Sequence, residues 1–408
     1  MAGGAQQVSR REAMKTALKA GAFTAPVIFS VVIPLTANLA VVRSASAMTP
    51  SQGSQATFIP APGSPISVGS FPFGIAVGDF NGDGNLDLSI ANNTDGTVSV
   101  LLGDGNGGFA PSPGSPVSVG INPSSIVAGD FNGDDDLDLA VANTTSSTVS
   151  VLLGDGRGGF TAAPGSPFPI GADPSGIVIG DFNGDGKLDL AVTNEGSANV
   201  SVLLGDGRGG FTPAPGSPVS VGPFPFGIVA GDFNGDSRLD LAVTNQGDGT
   251  VSVLLGDGSG GFAPAPGSPV SVGGEPYAVA VGDFNGDGKL DLVVANTGSN
   301  VSVLFGDGSG GFTPSPGSPT VGMVPDGIVV GDFNGDGKLD LAVINEFSND
   351  ASVLLGDGSG GFTAAPGSPF PVGTNPSGIV AGDFNGDGKL DLAITNELSK
   401  NVSVLLQQ

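Results

Sequence analysis

One nine-residue stretch recurs through the chain and divides it into units of nearly equal length. The stretch reads Asp-Phe-Asn-Gly-Asp-Gly-Lys-Leu-Asp at residues 283–291, and close copies of it occur six more times. The copies begin at Asp79, Asp130, Asp181, Asp232, Asp283, Asp332 and Asp383. Five of the six intervals are 51 residues long and the other is 49. Such a period predicts an array in which each copy belongs to one structural unit of about 50 residues.

Oxygen-bearing side chains recur at fixed positions of every copy. Asp occupies positions 1, 5 and 9, Asn occupies position 3, and Gly occupies position 6 in five copies. A hard cation such as Ca²⁺ takes oxygen ligands at this kind of spacing, and position 7 can add its backbone carbonyl whatever its side chain. The predicted metal ligands are Asp79, Asn81, Asp83, Asn85 and Asp87; Asp130, Asn132, Asp134, Asp136 and Asp138; Asp181, Asn183, Asp185, Lys187 and Asp189; Asp232, Asn234, Asp236, Arg238 and Asp240; Asp283, Asn285, Asp287, Lys289 and Asp291; Asp332, Asn334, Asp336, Lys338 and Asp340; and Asp383, Asn385, Asp387, Lys389 and Asp391.

Two other structures are compatible with an Asp-, Asn- and Gly-rich loop. An EF-hand needs a bidentate Glu at position 12 and flanking helices, whereas position 12 is always Val or Ile here and a strand-like run follows. A metal-free turn is the second alternative, because turns favour Asp, Asn and Gly. Three carboxylates within nine residues repel one another unless a cation neutralises them. We therefore expect one calcium ion per loop, and up to seven in the chain.

The loops are not expected to bind equally well. Position 6 is Asp135 in the second copy and Ser237 in the fourth, where the other five copies have Gly. Gly enters the left-handed conformation readily, Asp less so and Ser least. The sites that begin at Asp130 and Asp232 are therefore predicted to be the weaker ones.

Each unit also carries four short runs of strand character. In the first unit these strands are predicted at residues 73–77, 86–91, 97–102 and 109–119. The last run is rich in Pro, which removes ladder donors at an exposed sheet edge. Residues 58–65 match 211–218, so the N-terminal segment is expected to supply the outer strand that the last unit lacks. The fold class predicted for residues 56–408 is all-β, a seven-bladed β-propeller of four-stranded blades closed by that N-terminal strand.

The sequence DFNGDGKLDLAV followed by VSVLLGDGSGGF resembles the VCBS or FG-GAP repeat, which builds the seven-bladed propeller of integrin alpha subunits. The resemblance covers about residues 56 to 408. It implies calcium-binding loops and a non-catalytic recognition or adhesion module, with a protein or glycan ligand on the face opposite the metal loops. A purely structural surface or matrix protein is the main alternative, and a carbohydrate-active enzyme is the lesser one.

Residues 1–47 are predicted to be an export signal, and residues 48–55 a short linker. Residues 9–15 resemble the twin-arginine consensus, an apolar segment runs from about 20 to 42, and Ala45-Ser46-Ala47 is a candidate cleavage site. An uncleaved segment would anchor the protein to a membrane. In either case we expect an exported monomer that is secreted, periplasmic or at the cell surface.

Composition argues against several classes of function. The chain has no His or Cys, so catalysis would have to rest on carboxylates. Its formal net charge is -26. Such a charge disfavours nucleic acids and anionic membranes. The motif G-x-G-x-x-G at residues 103–108 is predicted to be a hairpin turn, because no helix follows it.

Connections at the other end of the blades differ from unit to unit, and we expect the ligand there. The candidate residues are Phe71, Phe73, Asn122, Asp173, Phe224, Phe226, Glu275, Tyr277, Asp326 and Asn375, together with Asn143, Glu195, Gln246, Glu346, Phe347 and Glu397. Exposed aromatic side chains among polar groups suit a protein or glycan. Ordinary loop drift, with Phe73 and Phe226 packed inward, is the alternative.

Overall fold

A computed structural model describes residues 56–408, so the predicted export signal and linker lie outside the described residues. Within that range the chain is all-β apart from one short 3-10 turn, Glu195–Ser197. The described segment contains no helix that is long and apolar enough to span a membrane.

The strands follow one another in a repeating series. In chain order they are β1 (Phe58–Pro60), β2 (Ile66–Ser67), β3 (Pro72–Gly78), β4 (Asp87–Asn92), β5 (Thr97–Gly103), β6 (Phe109–Pro111), β7 (Val117–Ser118), β8 (Pro123–Gly129), β9 (Asp138–Asn143), β10 (Thr148–Gly154), β11 (Phe160–Ala162), β12 (Phe168–Pro169), β13 (Pro174–Gly180), β14 (Asp189–Asn194), β15 (Asn199–Gly205), β16 (Phe211–Pro213), β17 (Val219–Ser220), β18 (Pro225–Gly231), β19 (Asp240–Asn245), β20 (Thr250–Gly256), β21 (Phe262–Pro264), β22 (Val270–Ser271), β23 (Pro276–Gly282), β24 (Asp291–Asn296), β25 (Asn300–Gly306), β26 (Phe312–Pro314), β27 (Pro325–Gly331), β28 (Asp340–Asn345), β29 (Asp350–Gly356), β30 (Phe362–Ala364), β31 (Phe370–Pro371), β32 (Pro376–Gly382), β33 (Asp391–Asn396) and β34 (Asn401–Gln407).

These strands form seven antiparallel sheets, each of which is one blade. Blade one runs from the inner strand β3 through β4 and β5 to the outer strand β6, with β7 also paired to β5. Blades two, three, four and six repeat this order, and blade five has four strands because no counterpart of β7 forms. The predicted seven-bladed β-propeller is confirmed.

The ring closes through the start of the described segment. β1 pairs with β34 in blade seven, where Phe58 lies opposite Gln407, and β2 pairs with the other end of the same strand. The blade is completed by β32 and β33. The predicted role of the N-terminal strand is therefore confirmed.

The outer strand differs from its prediction. Residues 109–119 were expected to form one strand, but the structure has two short strands, β6 and β7, on either side of a turn. Pro113 and Pro116 fall in this turn and have no amide hydrogen to donate. The Val100 amide, which faces the break, donates instead to Ser115 Oγ at 2.9 Å.

Small residues line the axis because the inner strands approach one another closely. A Cβ atom on Gly74 of β3 would lie 2.5 Å from the Ser124 carbonyl oxygen of the next inner strand. The apolar cores lie farther out, between neighbouring blades, as where Phe80, Val98 and Ala91 of blade one pack with Ile126 and Leu139 of blade two. The blades are thus held to one another mainly by buried apolar surface.

Candidate metal loops and ligand face

All seven acidic loops lie on one face of the disc. Each loop connects an inner strand to the second strand of its blade, as residues 79–87 connect β3 to β4. The hairpin turns between the third and fourth strands, such as residues 103–108, lie on the same face. We call this side the loop face, and we call the opposite side, formed by the other two connections of each blade, the variable face.

The carboxylate at position 1 organises the loop around itself. In the first copy, Asp79 Oδ1 accepts the Gly82 and Asp83 amides at 2.7 and 3.2 Å, and Asp79 Oδ2 accepts the Gly84 amide at 2.9 Å. Asn81 Oδ1 accepts the Asp83 amide at 2.8 Å. The same pattern recurs around Asp283 in the fifth copy. The chain therefore curls with its oxygen-bearing side chains turned towards its own amides.

The carboxylate at position 9 is the most deeply buried member of the loop. Asp87 is 0% exposed, and its two oxygens accept the Phe80 and Gly103 amides, both at 2.8 Å. These bonds fasten the loop to the end of β5. Burial raises the pKa of Asp87 to about 7, the two amides oppose that rise, and the nearby Asp79 and Asp83 add to it.

The remaining copies share this arrangement. The pKa of Asp138, Asp340 and Asp391 is raised to about 7, and that of Asp189, Asp240 and Asp291 to about 6, in each case chiefly by burial. In every copy the Asp residues at positions 1 and 5 also raise the pKa of the Asp at position 9. The three carboxylates of a loop therefore repel one another, and a bound cation would relieve that repulsion.

The donor set of the loop fits a hard cation in its chemistry. It offers carboxylate oxygens at positions 1, 5 and 9, an amide oxygen at position 3 and a backbone carbonyl at position 7. Within residues 56–408, no group of three or more acidic side chains is gathered closely enough to enclose a metal ion by itself. A cation in the loop would thus need the Asn and backbone oxygens in addition to the carboxylates.

Position 7 carries a side-chain contact that the sequence did not reveal. We predicted only a backbone carbonyl there, but in the five copies with Lys or Arg at position 7 the side-chain cation also contacts the position 5 carboxylate. The nitrogen to oxygen distance is 3.2 Å for Lys187 and Asp185 and 3.9 Å for Arg238 and Asp236. It lies between 3.5 and 4.0 Å in the fifth, sixth and seventh copies. These surface pairs partly neutralise the loop carboxylate and are weak in water.

The two copies that lack Gly at position 6 keep the same loop shape. Asp135 has φ 72° and Ser237 has φ 67°, both in the left-handed region. Their amides donate to the position 1 carboxylate at 2.9 and 2.8 Å, as the Gly84 amide does. The strain expected from the sequence is therefore present, and weaker metal binding in these copies stays a prediction.

A ring of Phe pairs joins each loop to the next blade. The Phe at loop position 2 meets the Phe that begins an outer strand of the following blade, edge to face, with ring centroids 5.5 to 6.1 Å apart. The pairs are Phe80 with Phe160, Phe131 with Phe211, Phe182 with Phe262, Phe233 with Phe312, Phe284 with Phe362, Phe333 with Phe58, and Phe384 with Phe109. Both Phe positions recur in every copy, and this recurrence is the sequence signal from which the pairs could be predicted.

The variable face carries most of the exposed apolar side chains. Seven large apolar residues of the described segment are exposed, and one of them, Ile59, lies in the outer strand β1. The other six all lie on the variable face: Phe71, Ile121, Phe224, Met323, Phe347 and Leu398. Phe73 and Phe226 are half-buried, and the Phe226 and Tyr277 rings lie 4.9 Å apart.

A cluster of carboxylates lies where blades six and seven meet on the variable face. The Asn375 side-chain nitrogen donates to Glu346 Oε1 and to Glu397 Oε2, both at 3.1 Å. Asp326 is 8% exposed, and burial together with Glu346 and Glu397 holds its pKa well above the ordinary value. Burial raises the pKa of Glu397 to about 7. Several variable-face candidates are therefore brought together here, and the others are spread around the rim.

Comparison with known structures supports the same ring architecture. A chain from the crystal structure of BBS1N in complex with ARL6DN aligns at a TM-score of 0.57 and 14% identity, covering 88% of this chain and 98% of that one. A functionally unknown protein from Desulfotomaculum acetoxidans aligns at 0.57 and 15%, covering 76% and 89%. The Pseudomonas aeruginosa periplasmic gluconolactonase PpgL aligns at 0.57 and 17%, covering 75% and 86%. At these identities the likeness shows the fold alone.

The repeats themselves match a family model. Among curated proteins, no sequence matches this chain. The FG-GAP-like repeat matches residues 79–141, 131–192, 181–243, 232–294, 283–343 and 332–394, which together span most of the described segment. The chain therefore belongs to the FG-GAP-like repeat family.

Proposed function

We propose that this protein is an exported, non-catalytic recognition module of the adhesion type. In this proposal calcium stabilises the loop face, and the variable face binds a protein partner. The six exposed apolar side chains carry the proposal, because six of the seven exposed large apolar residues of the described segment lie on this one face. Ile121, Met323 and Leu398 are aliphatic, which favours a protein surface over a sugar ring.

Charge indicates the kind of protein partner. Seven of the eight basic residues of the described segment lie on the loop face, and Lys400 alone lies on the variable face. The variable face carries nine carboxylates: Asp95, Asp173, Glu195, Asp248, Glu275, Asp326, Glu346, Asp350 and Glu397. Opposite charges speed encounter and select among partners. We therefore expect a partner with a basic surface.

Calcium has a stabilising role in this proposal. A ligand that binds only the folded state stabilises it by mass action. Each loop is fastened to its own blade by the position 9 carboxylate and to the next blade by a Phe pair, so an ion in the loop would stiffen both connections. Seven such loops would act around the whole ring.

Catalysis is the alternative that the structural neighbours raise. PpgL is named a periplasmic gluconolactonase, and a Bacteroides fragilis neighbour is named a putative 6-phosphogluconolactonase. This chain contains no His or Cys, and its FG-GAP propeller is consistent with a non-enzyme. A lactonase assay with gluconolactone is the direct check on this alternative.

The proposed partner interface is tested with the whole chain immobilised against cell-surface protein extract, followed by cross-linking and mass spectrometry. The wild type should capture a partner, and high salt should weaken this binding. The triple variant Ile121→Asp, Met323→Asp and Phe347→Asp should not capture that partner. A loop-face control, Arg157→Glu with Arg208→Glu, should retain it. The same captured proteins in all three samples, or none in any of them, would refute the proposed interface.

A further inference from the structure

A pocket of about 560 Å³ opens on the variable face between blades four and five. Its wall includes Phe224, Gln246 and Asp248 of blade four, and Gly274 and Glu275 at the entry to blade five. This volume lies within the range of small-molecule sites. Phe224 is also one of the six exposed apolar side chains of the proposed protein interface, but the other five lie outside the pocket.

The pocket exists because blade five enters the ring differently from the other six. In those blades, a Gly lies three residues before the Pro of the inner strand and packs tightly against the Asn that ends the second strand. A Cβ atom added to this Gly would lie within 2.6 Å of the Asn side chain. Gly222 beside Asn245 in blade four is an example. The corresponding Gly273 has nothing within 4 Å, and its φ is 119°. The entry segment of blade five therefore lies away from its own sheet.

The next residue enlarges the opening. Gly274 stands where the other blades carry Ser70, Ile121, Ala172, Pro223, Met323 and Thr374. A Cβ atom on Gly274 would also meet nothing within 4 Å. Two adjacent glycines thus leave open a space that a side chain occupies in every other blade.

The wall combines one aromatic ring with polar groups. Phe224 is 54% exposed, and a Cβ atom on Gly247 would lie 2.9 Å from its ring, so the glycine allows the ring to approach the chain closely. The Gln246 side-chain nitrogen is buried and has no hydrogen-bond partner. Asp248 Oδ1 accepts the Thr250 hydroxyl at 2.6 Å, which leaves its other oxygen available, and Glu275 is exposed.

We propose that this pocket binds a carbohydrate unit, either a neutral sugar or an amino sugar. The apolar face of a sugar ring would stack on the exposed apolar face of the Phe224 ring. The Asp248 and Glu275 carboxylates would accept hydrogen bonds from hydroxyl or ammonium groups of the sugar. These two carboxylates repel sialylated, uronic and sulfated sugars.

The test is a glycan array probed with the whole chain, followed by titration calorimetry with the best neutral or amino sugar. Phe224→Ala and Gly274→Thr should each weaken binding tenfold or more. The first removes the stacking ring, and the second places in the pocket the residue that blade seven carries at Thr374. Phe71→Ala is the matched control, because Phe71 holds the same position in blade one and should leave binding unchanged.

Melting temperatures within a few degrees of the wild type would show that each variant folds. Binding to no sugar, to anionic sugars alone, or with undiminished affinity in both pocket variants would overturn the proposal. The protein interface is judged separately, because Ile121, Met323 and Phe347 lie outside this pocket. Loss of sugar binding in the pocket variants with protein capture intact would support the pocket independently.

Discussion

The loop face and the variable face are built by the same strands but differ in what they repeat. On the loop face, the same nine-residue loop occurs seven times, and Asp87 and its counterparts make the same two amide bonds in each copy. On the variable face, the residue after the inner-strand Pro is Phe73, Ser124, Ser175, Phe226, Tyr277, Asp326 or Ser377. Uniform chemistry suits one task performed seven times. Varied chemistry suits a single asymmetric ligand.

The largest effect is expected from removing a position 9 carboxylate. In Asp291→Ala, the Phe284 and Gly306 amides would lose their acceptors at 3.0 and 2.9 Å. Each buried amide left unpaired costs about 1–3 kcal/mol, so the free energy of unfolding should fall by about 2–6 kcal/mol in urea denaturation. Asp248→Ala on the variable face is the control and should cost about 1 kcal/mol or less. Equal losses in the two variants would contradict the distinction between the faces.

A smaller effect is expected from the carboxylate cluster of the variable face. The folded pKa of Glu397 is about 7 against an ordinary 4.5, because the group is buried beside Glu346, with Asn375 and Ser377 opposing the shift. A raised folded pKa contributes stability that is complete below pH 4.5 and is lost as the pH rises through 7. At fixed calcium, the wild type should lose more thermal stability than Glu397→Gln between pH 5 and 8. Glu275→Gln, at an exposed position, should lose as much thermal stability as the wild type. The same loss of stability with pH in all three proteins would show that Glu397 does not cause the pH dependence.

The smallest effect concerns position 6 of the loops. Ser237→Gly relieves a left-handed Ser and should raise the free energy of unfolding by about 0.5–1 kcal/mol. The reverse change in the fifth copy, Gly288→Ser, should lower it by a similar amount, because a Cβ atom there meets nothing within 4 Å and only backbone strain is added. Denaturation in calcium measures both. If both changes raised or both lowered the free energy of unfolding, backbone strain at position 6 would not explain the difference between the loops.

The ring could be predicted from the sequence because the motifs that indicate it repeat at a regular interval. Seven loops, four strands per blade and closure by β1 all follow from spacing that can be counted along the chain. The break between β6 and β7 was missed because a run containing Pro113 and Pro116 resembles an edge strand until the turn between them is seen. The contact between Lys187 and Asp185 does not follow from the repeat pattern, because position 7 is not a cation in every copy and a long side chain can point away from the loop.

The features of the variable face were less predictable because they depend on contacts across blades. Asp326, Glu346, Asn375 and Glu397 lie in two blades, and nothing in their spacing indicates that one amide joins two of the carboxylates. The pocket beside Phe224 arises from the position of the chain at Gly273 and Gly274, which a pattern of residue types does not reveal. Periodicity predicts what the blades share, and their differences become visible only in three dimensions.

The most direct test of the division between the faces is the number of calcium ions bound by the whole chain. Equilibrium dialysis in millimolar calcium, followed by elemental analysis, should give up to seven ions per chain. The double variant Asp283→Ala with Asp287→Ala should bind one ion fewer than the wild type, whereas the variable-face double variant Asp326→Asn with Glu397→Gln should bind the same number. No bound calcium in the wild type, or an unchanged number in the loop variant, would contradict the assignment of the loop face to metal.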